Sequence, residues 1–449
     1  EFPNATIDFV PGTQFLRADG TAVPDGLLTT PDGRPGLKAN YNEGMGRGQP
    51  EANMKPIVSR TEPNVKLTQS NLPSEVSDKK TFGVQWSGFL TPTESGDYLL
   101  GIRCEGFGRL TVDDKQVAAA FGGGGVSSGV GHVHLEKGHK VAIEISYGSR
   151  NGNVQAEMIW ARSNNAPSAE AIAAAKNADV VIAVVGITSQ LEGEEMPVSE
   201  PGFLGGDRTS IDLPQPEEDL VEAVAATGKP LAVVLMNGSA LAVNWINDHA
   251  NAVLDAWYPG EEGGAAVAET LNGKNNPAGR LPITFYKGVD QLPNFEDYGM
   301  ANRTYRYFTG KPLYPFGYGL SYTQFSYSDL NVPAQPVAAG EPVTAEVTVT
   351  NTGKFAGDEV VQLYLRLPPV KGAPRIALRG FQRIHLEPGA STRVYFDLKP
   401  RDLGMVTEDG NPIVAQGDYT LSIGGGQPDT GAPTQIGHFH IDGQYALAE

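Results

Sequence analysis

The spacing of apolar and polar positions divides the chain into three stretches with different periods. From Gly36 to about Trp160, apolar residues alternate with polar ones in "TFGVQWSGFL", "SGDYLLGIRCEG", "RLTVDDKQV" and "HKVAIEISY", with Gly, Asp and Asn between the runs. A period of two with short turns predicts antiparallel strands that each turn one face to a core, hence a β-sandwich or barrel. Helical spacing is absent here. Asp113 and Asp114 fall where a hairpin turn is required. The glycine run "FGGGGVSSGVG" lacks the preceding strand and following helix that a phosphate-cradling loop needs, so it is expected to be a flexible surface loop.

The period changes at "SNNAPSAEAIAAAKNADVVIAVVG", where Ser168 is placed to cap an alanine-rich helix that leads into a wholly apolar strand. Helix "PEEDLVEAVAATG", strand "PLAVVLMNG", a helix near "LAVNWINDHA", strand "NAVLDAWYPG" and helix "EEGGAAVAETLNG" follow. Continuous apolar strands alternating with helices predict a parallel sheet covered on both faces, with ligands gathering beyond the carboxyl ends of its strands. The opening "ATIDFVPG" reads as a further strand of the same α/β unit, from Thr6 to Val10. Residues 291–325 are crowded with aromatic, Gly and Pro residues and keep no period; they are expected to be a connector that adds to a sugar-stacking rim. From about Ser326 alternation returns in "VTAEVTVTNTG", "DEVVQLYLRL" and "GDYTLSIGG", which predicts an immunoglobulin-like sandwich. The expected division is therefore a partial α/β start at 1–30, a β domain at 36–163, an α/β domain at 166–290, the connector, and a second β domain at 326–445.

Charge narrows the partners. A formal net charge of -18 over 449 residues argues against nucleic acid and against an anionic membrane surface, and favours a neutral ligand. No apolar stretch reaches the length of a membrane span. The single cysteine, Cys104, cannot form an internal disulfide and sits in a strand-like run as a buried structural thiol. His132 and His134 share one side of a strand but have no third ligand nearby in sequence, so no metal is expected, and no cofactor motif is present.

The candidate chemistry lies in "SQLEGEEM", where Glu192, Glu194 and Glu195 stand within four residues directly after an apolar strand. A solvated acidic loop is one reading. The other holds one carboxyl close to a reacting bond.

Three ordered blocks carry a resemblance: "GGDRTSIDLPQPEEDLVEAVAATGKPLAVVLMNGSALAVNWI", "AVLDAWYPGEEGGAAVAETLNGKNNPAGRLPITF" and "NRTYRYFTGKPLYPFGYGLSYTQF". They resemble the C-terminal half of glycoside hydrolase family 3, the β-glucosidases and β-xylosidases. "VTVTNTGKFAGDEVVQLYL" with "ALRGFQRIHLEPG" resembles the fibronectin type III-like domain that ends many members. "GLKANYNEG", "FGVQWSGFLTPTESGDYLL" and "WAR" resemble a PA14 domain, which some members carry inserted in the α/β sandwich domain.

The resemblance implies a multidomain fold: a PA14-like sandwich inserted in an α/β sandwich domain, followed by a fibronectin type III-like sandwich. It implies a retaining, exo-acting β-glycosidase acting on terminal β-linked sugars of oligosaccharides or on aryl glycosides, in the periplasm or outside the cell. In the family the aspartate nucleophile lies on an N-terminal barrel that nothing here resembles. The chain is thus expected to be a fragment, or one piece of a cleaved enzyme, inactive alone and partnered by the polypeptide that carries the barrel.

Retaining enzymes need two carboxyl groups about 5–5.5 Å apart, and the proton donor needs a raised pKa, which crowding among carboxylates supplies. The family places its acid/base glutamate on a variable loop ahead of an Asp-Arg pair, here Asp207 and Arg208. The "EGE" step favours Glu194, with Glu192 next and Glu195 third. Asp207 and Arg208 are expected to form an ion pair that braces the loop, and Glu261 and Glu262 to cap the following helix. Calcium-binding PA14 relatives use paired aspartates where "RCEGFGRL" stands, so calcium is not expected. The connector leans toward β-xylosidases. A non-catalytic carbohydrate-binding or adhesion module is the alternative reading.

Overall fold

In the first stretch, alternation becomes a ten-stranded antiparallel sheet whose long members are β1 (Leu37–Glu43), β2 (Phe82–Leu90), β3 (Gly96–Val112), β4 (Lys115–Leu135), β5 (Val141–Gly148) and β6 (Gln155–Arg162). The computed structural model describes residues 4–13, 15, 20–43, 56–79, 81–149, 154–163, 165–189, 191–196 and 198–448. It forms two compact units, residues 1–236 with 246–255, and 237–245 with 256–449.

The order β6-β3-β5-β2-β1 arises because β3 pairs with β6 over its first half and with β5 over its second. Inward positions of the pattern, among them Leu37, Trp86, Ile102, Cys104 and Ile145, make one core. Burial pushes the Cys104 thiol up to about 12, as expected of a structural thiol. Asp113 and Asp114 take φ of 45° and 63° between β3 and β4, the left-handed pair that a two-residue hairpin turn demands.

The glycine run corrects the sequence reading. It lies within β4, paired along β3 through a register shift opposite Glu105 and Gly106, and is not a surface loop. Added Cβ atoms at Gly129 and Gly131 would fall 1.8 and 2.3 Å from the carbonyl oxygens of Ala119 and Val117. Glycine is needed for close backbone approach where β4 comes back against its own first half, not for flexibility.

A second correction concerns Thr6–Val10, which forms no strand. Ile7 and Phe9 are 90% and 89% exposed, and among the described residues the segment pairs with no strand, without which β propensity does not make one. At Gly12 the chain meets the α/β layer: its carbonyl accepts from the Ser168 N–H at 2.8 Å.

Along the chain the α/β stretch contains α1 (Ala169–Asn177), β7 (Val181–Gly186), α2 (Gln215–Ala225), β8 (Leu231–Met236), α3 (Asn244–His249) and β9 (Ala252–Asp255), followed by α4 (Gly263–Leu271), which falls in the second unit. Strands β7, β8 and β9 are parallel neighbours in that order. Ser168 caps α1 by accepting from the Ala171 N–H at 3.3 Å. At α4, Glu262 occupies the cap position with no side-chain cap bond, so the expected carboxylate cap is not formed; the bond to Ala266 comes from its backbone carbonyl. One face of β7 is buried through Ala183 and Val185, whereas Val180, Ile182 and Val184 on the other side are 57%, 54% and 61% exposed.

The last stretch forms β10 (Phe325–Asn331), β11 (Val343–Asn351), β12 (Gly357–Arg366), β13 (Ala377–Leu386), β14 (Ser391–Leu398), β15 (Gly417–Gly424) and β16 (Thr434–Asp442). Sheet β10-β11-β14 and sheet β16-β15-β12-β13 share a core of alternate residues such as Val347, Leu363, Tyr419 and Phe439. This is the expected sandwich. Among the described residues no helix is long and apolar enough to cross a membrane.

Candidate active-site rim

The acidic loop starts at a pinch point. At Gly186 (φ 153°), the last residue of β7, an added Cβ would lie 1.9 Å from the Met236 carbonyl oxygen, and the next N–H, from Ile187, donates to that oxygen at 2.8 Å. The Thr188 carbonyl then accepts from Leu191 and Glu192 at 3.0 and 3.1 Å, and Leu191 is buried as an anchor.

Beyond it the chain folds into a small hairpin of short strands Ser199–Glu200, Phe203–Leu204 and Asp207–Arg208 that closes back on the acidic loop. Gly193 N–H donates to Gly206 at 3.2 Å and Met196 N–H to Gly205 at 2.9 Å. Gly206 has φ 90°, and a Cβ there would meet the Gly193 oxygen at 1.9 Å, so only glycine closes this crossing.

The closed loop leaves Glu192 half-buried and Glu194 and Glu195 exposed, Glu195 with φ 49°. Thus the three acids share one turn at the carboxyl edge of the parallel sheet but not one environment. Asp207 and Arg208 do not form the expected ion pair, because neighbouring residues of a strand point to opposite faces. Arg208 instead donates to the carbonyls of Ser210 and Asp212 at 2.9 and 3.1 Å and lies over the Phe203 ring.

Two further carboxyls brace the rim, and local sequence reasoning did not single them out. Glu217, in the first turn of α2, accepts the Gly186 N–H at 2.7 Å. Burial pushes its carboxyl up to about 7. Glu200, on the hairpin, accepts the His132 N–H at 3.4 Å, and its other oxygen lies 3.9 Å from His132 Nε2. It too is pushed by burial up to about 7, while burial lowers the His132 imidazole. Phe15 stacks on that imidazole at 5.9 Å and Ser163 Oγ is 3.2 Å from its Nδ1. His132 is therefore half-buried against the rim, whereas His134 is exposed beside Asp97 at 2.8 Å. The signal for Glu217 was available as an acid in a first helical turn after a strand. None existed for Glu200, whose partner is 68 residues away. Among the described residues no three His, Cys, Asp or Glu side chains are grouped to hold a metal ion.

Residues 39–322 match the profile of the glycosyl hydrolase family 3 C-terminal domain. The chain belongs to glycoside hydrolase family 3. Residues 359–427 match the fibronectin type III-like domain. Among curated family 3 relatives, the xylan 1,4-beta-xylosidase of Xylanibacter ruminicola is 36% identical over 452 residues, covering 94% of this chain and 50% of that protein. The periplasmic beta-glucosidase of Salmonella typhimurium is 39% identical over 283 residues, 60% of this chain and 36% of that protein. The chain thus spans about half the length, or less, of these curated relatives. A crystal structure of a β-glucosidase from Streptomyces venezuelae covers 94% of this chain and 50% of its own at a TM-score of 0.66 and 24% identity, a likeness of fold. A β-glucosidase from Erythrobacter marinus covers 61% of this chain and 36% of its own at a TM-score of 0.52 and 34% identity.

Proposed function

We propose that this chain is the C-terminal part of a retaining, exo-acting β-glycosidase of β-glucosidase or β-xylosidase type, and that its acidic rim supplies the general acid/base. The observation that carries the reading is the turn bearing Glu192, Glu194 and Glu195, held at the carboxyl edge of a parallel sheet by a glycine-only crossing, in a family 3 chain. Glu194 is the assigned residue, with Glu192 next. As a carboxylate from a barrel attacks the anomeric carbon, the Glu194 carboxyl gives its proton to the departing oxygen; the resulting carboxylate then takes a proton from the water that cleaves the glycosyl-enzyme bond.

Exposure of Glu194 makes a partner necessary in this reading. A proton donor at neutral pH needs desolvation, which a barrel-bearing polypeptide closing over the rim provides. Val180, Ile182 and Val184, exposed on one side of β7, likewise suit a partner surface, because parallel sheets are normally covered on both faces. In the same reading the β domain spanning 36–163 is of PA14 type, the substrates are terminal β-linked sugars of oligosaccharides or aryl glycosides, the complete enzyme works in the periplasm or outside the cell, and the isolated chain shows no turnover.

The test is the leaving-group dependence of Glu194→Gln and Glu192→Gln in the complete enzyme. Loss of the acid slows poor leaving groups by about 10²–10⁴-fold and activated aryl glycosides far less. If neither substitution slows either substrate and Glu195→Gln does not either, the acid does not lie on this turn. Oligosaccharide binding without hydrolysis even with the barrel present assigns the chain to a carbohydrate-binding module instead.

A further inference from the structure

A second place for a ligand lies outside the rim. In the unit formed by residues 237–245 and 256–449, a cleft of about 560 Å³ opens between the chain around Tyr318–Phe325 and the loop that joins β15 to β16. That volume falls in the range of small-molecule sites, roughly 300–1,000 Å³. Its lining includes Arg280, Tyr318, Phe325, Glu359, Gln427 and Thr430, with glycines at 319, 425, 426 and 431.

The charges in the wall are already matched. Arg280 Nη2 pairs with Glu359 Oε2 at 2.9 Å, the two side chains being 9% and 4% exposed, and the Tyr327 hydroxyl donates to Glu359 Oε1 at 2.6 Å. Arg280 also donates to the Ala278 and Gly279 carbonyls at 3.1 Å and to that of Gly425 at 3.4 Å. An ionic ligand therefore finds no uncompensated partner there, and a neutral one meets no charge it must desolvate alone.

The neutral polar groups are not all matched. Gln427 is 7% exposed, and its Oε1 has no hydrogen-bond partner among the described residues. Its backbone carbonyl accepts from Thr430 Oγ1 at 2.5 Å, which fixes the loop but leaves the side-chain oxygen without a donor. A buried amide oxygen without a donor is costly, and Gln427 lines the cleft, where a ligand hydroxyl can supply one. The glycines make parts of the wall bare backbone: a Cβ at Gly425 would lie 2.5 Å from Glu359 Oε1, and one at Gly319 would lie 2.1 Å from the Gly279 oxygen. Phe325, Ala432 and Pro433 supply apolar surface beside these polar groups. A wall that combines apolar patches, amide and hydroxyl groups and no net charge matches a ring with C–H faces and a hydroxyl edge.

We propose that this cleft binds a neutral saccharide of one or two rings, as a non-catalytic site that shares no lining residue with the acidic rim. The proposal is independent of the acid/base assignment. The test is calorimetric titration of the 449-residue chain with xylobiose and with cellobiose, repeated on Gln427→Leu and on Ala432→Trp, which narrows the cleft from its rim. Expected is a dissociation constant on the order of 1 mM for at least one disaccharide, weakened about tenfold by Gln427→Leu and lost in Ala432→Trp. Thermal melting confirms that each variant is folded, and if Gln427→Leu is not, Ala432→Trp alone decides. No binding of either sugar at about ten times that concentration, or binding unchanged in the folded variants, overturns the proposal and leaves the cleft to water.

Discussion

Buried carboxyls in the two β regions differ from those at the rim. In the first β region, Glu62 receives the Tyr41 hydroxyl and Arg60 Nε at 2.5 Å on one oxygen and Trp86 Nε1 at 2.6 Å on the other. In the sandwich-bearing unit, Glu359 is met by Arg280 and Tyr327. Burial raises the Glu359 carboxyl, and the cation and hydroxyl pull it back. Glu217 and Glu200, by contrast, are half-buried, each accepting a backbone N–H, and both are raised to about 7. Carboxylates that hold architecture are given an Arg and a hydroxyl or indole donor. Those that brace the rim are left able to exchange a proton near neutrality, which is where perturbed groups of functional sites cluster.

The largest expected effect comes from removing a compensating cation. Arg280→Leu strands the Glu359 charge and lowers unfolding stability by about 3–5 kcal/mol in urea titrations, and adding Glu359→Gln restores part of the loss. A loss below about 1 kcal/mol would place Glu359 in the same class as the rim acids.

Glu217 sharpens the comparison through pH. Its folded value is raised from 4.5 to about 7, so the fold holds the proton more tightly than the unfolded chain. Its stabilisation is complete below pH 4.5 and is lost as pH rises through about 7, at most about 3 kcal/mol. Glu217→Gln, which keeps an acceptor for the Gly186 N–H, removes that slope. Melting temperature against pH for both proteins checks it, and parallel curves would contradict the assignment.

How far the sequence disclosed these features depended on distance along the chain. Strands β2, β5 and β11 were legible because alternation is a local record of which side faces a core. The helix start at Ser168 was legible because a cap bond spans three residues. The glycines of β4 were misread because their reason is a clash with Ala119 and Val117, which only the folded strand brings near. Thr6–Val10 carried strand composition but no partner. At the rim, the acids of the turn were visible as a cluster, whereas the burial of Glu200 and Glu217 comes from β4 and β7 and leaves no trace beside them in sequence.

Two smaller effects probe the rim itself. Gly206→Ala sets a Cβ against the Gly193 oxygen at a left-handed φ, costing about 1–3 kcal/mol of local stability. Hydrogen exchange should rise across 191–208 and stay unchanged in β11 and β12. Glu200→Gln keeps an acceptor for His132 and removes a half-buried charge at high pH, so it stabilises the chain by about 1 kcal/mol at pH 8 relative to its effect below pH 4.5. Equal melting shifts at both pH values would show that Glu200 does not titrate in this range.

The most direct test of the central claim is rescue by an external nucleophile. In the complete enzyme, Glu194→Gln with an activated aryl glycoside accumulates the glycosyl-enzyme, because no base remains to activate water. Azide needs no such base, so the account predicts that it restores turnover and yields the β-glycosyl azide. Rescue of Glu192→Gln alone moves the acid/base to that residue of the same turn. Absence of azide rescue in both variants and in Glu195→Gln contradicts the placement of the acid/base on this rim.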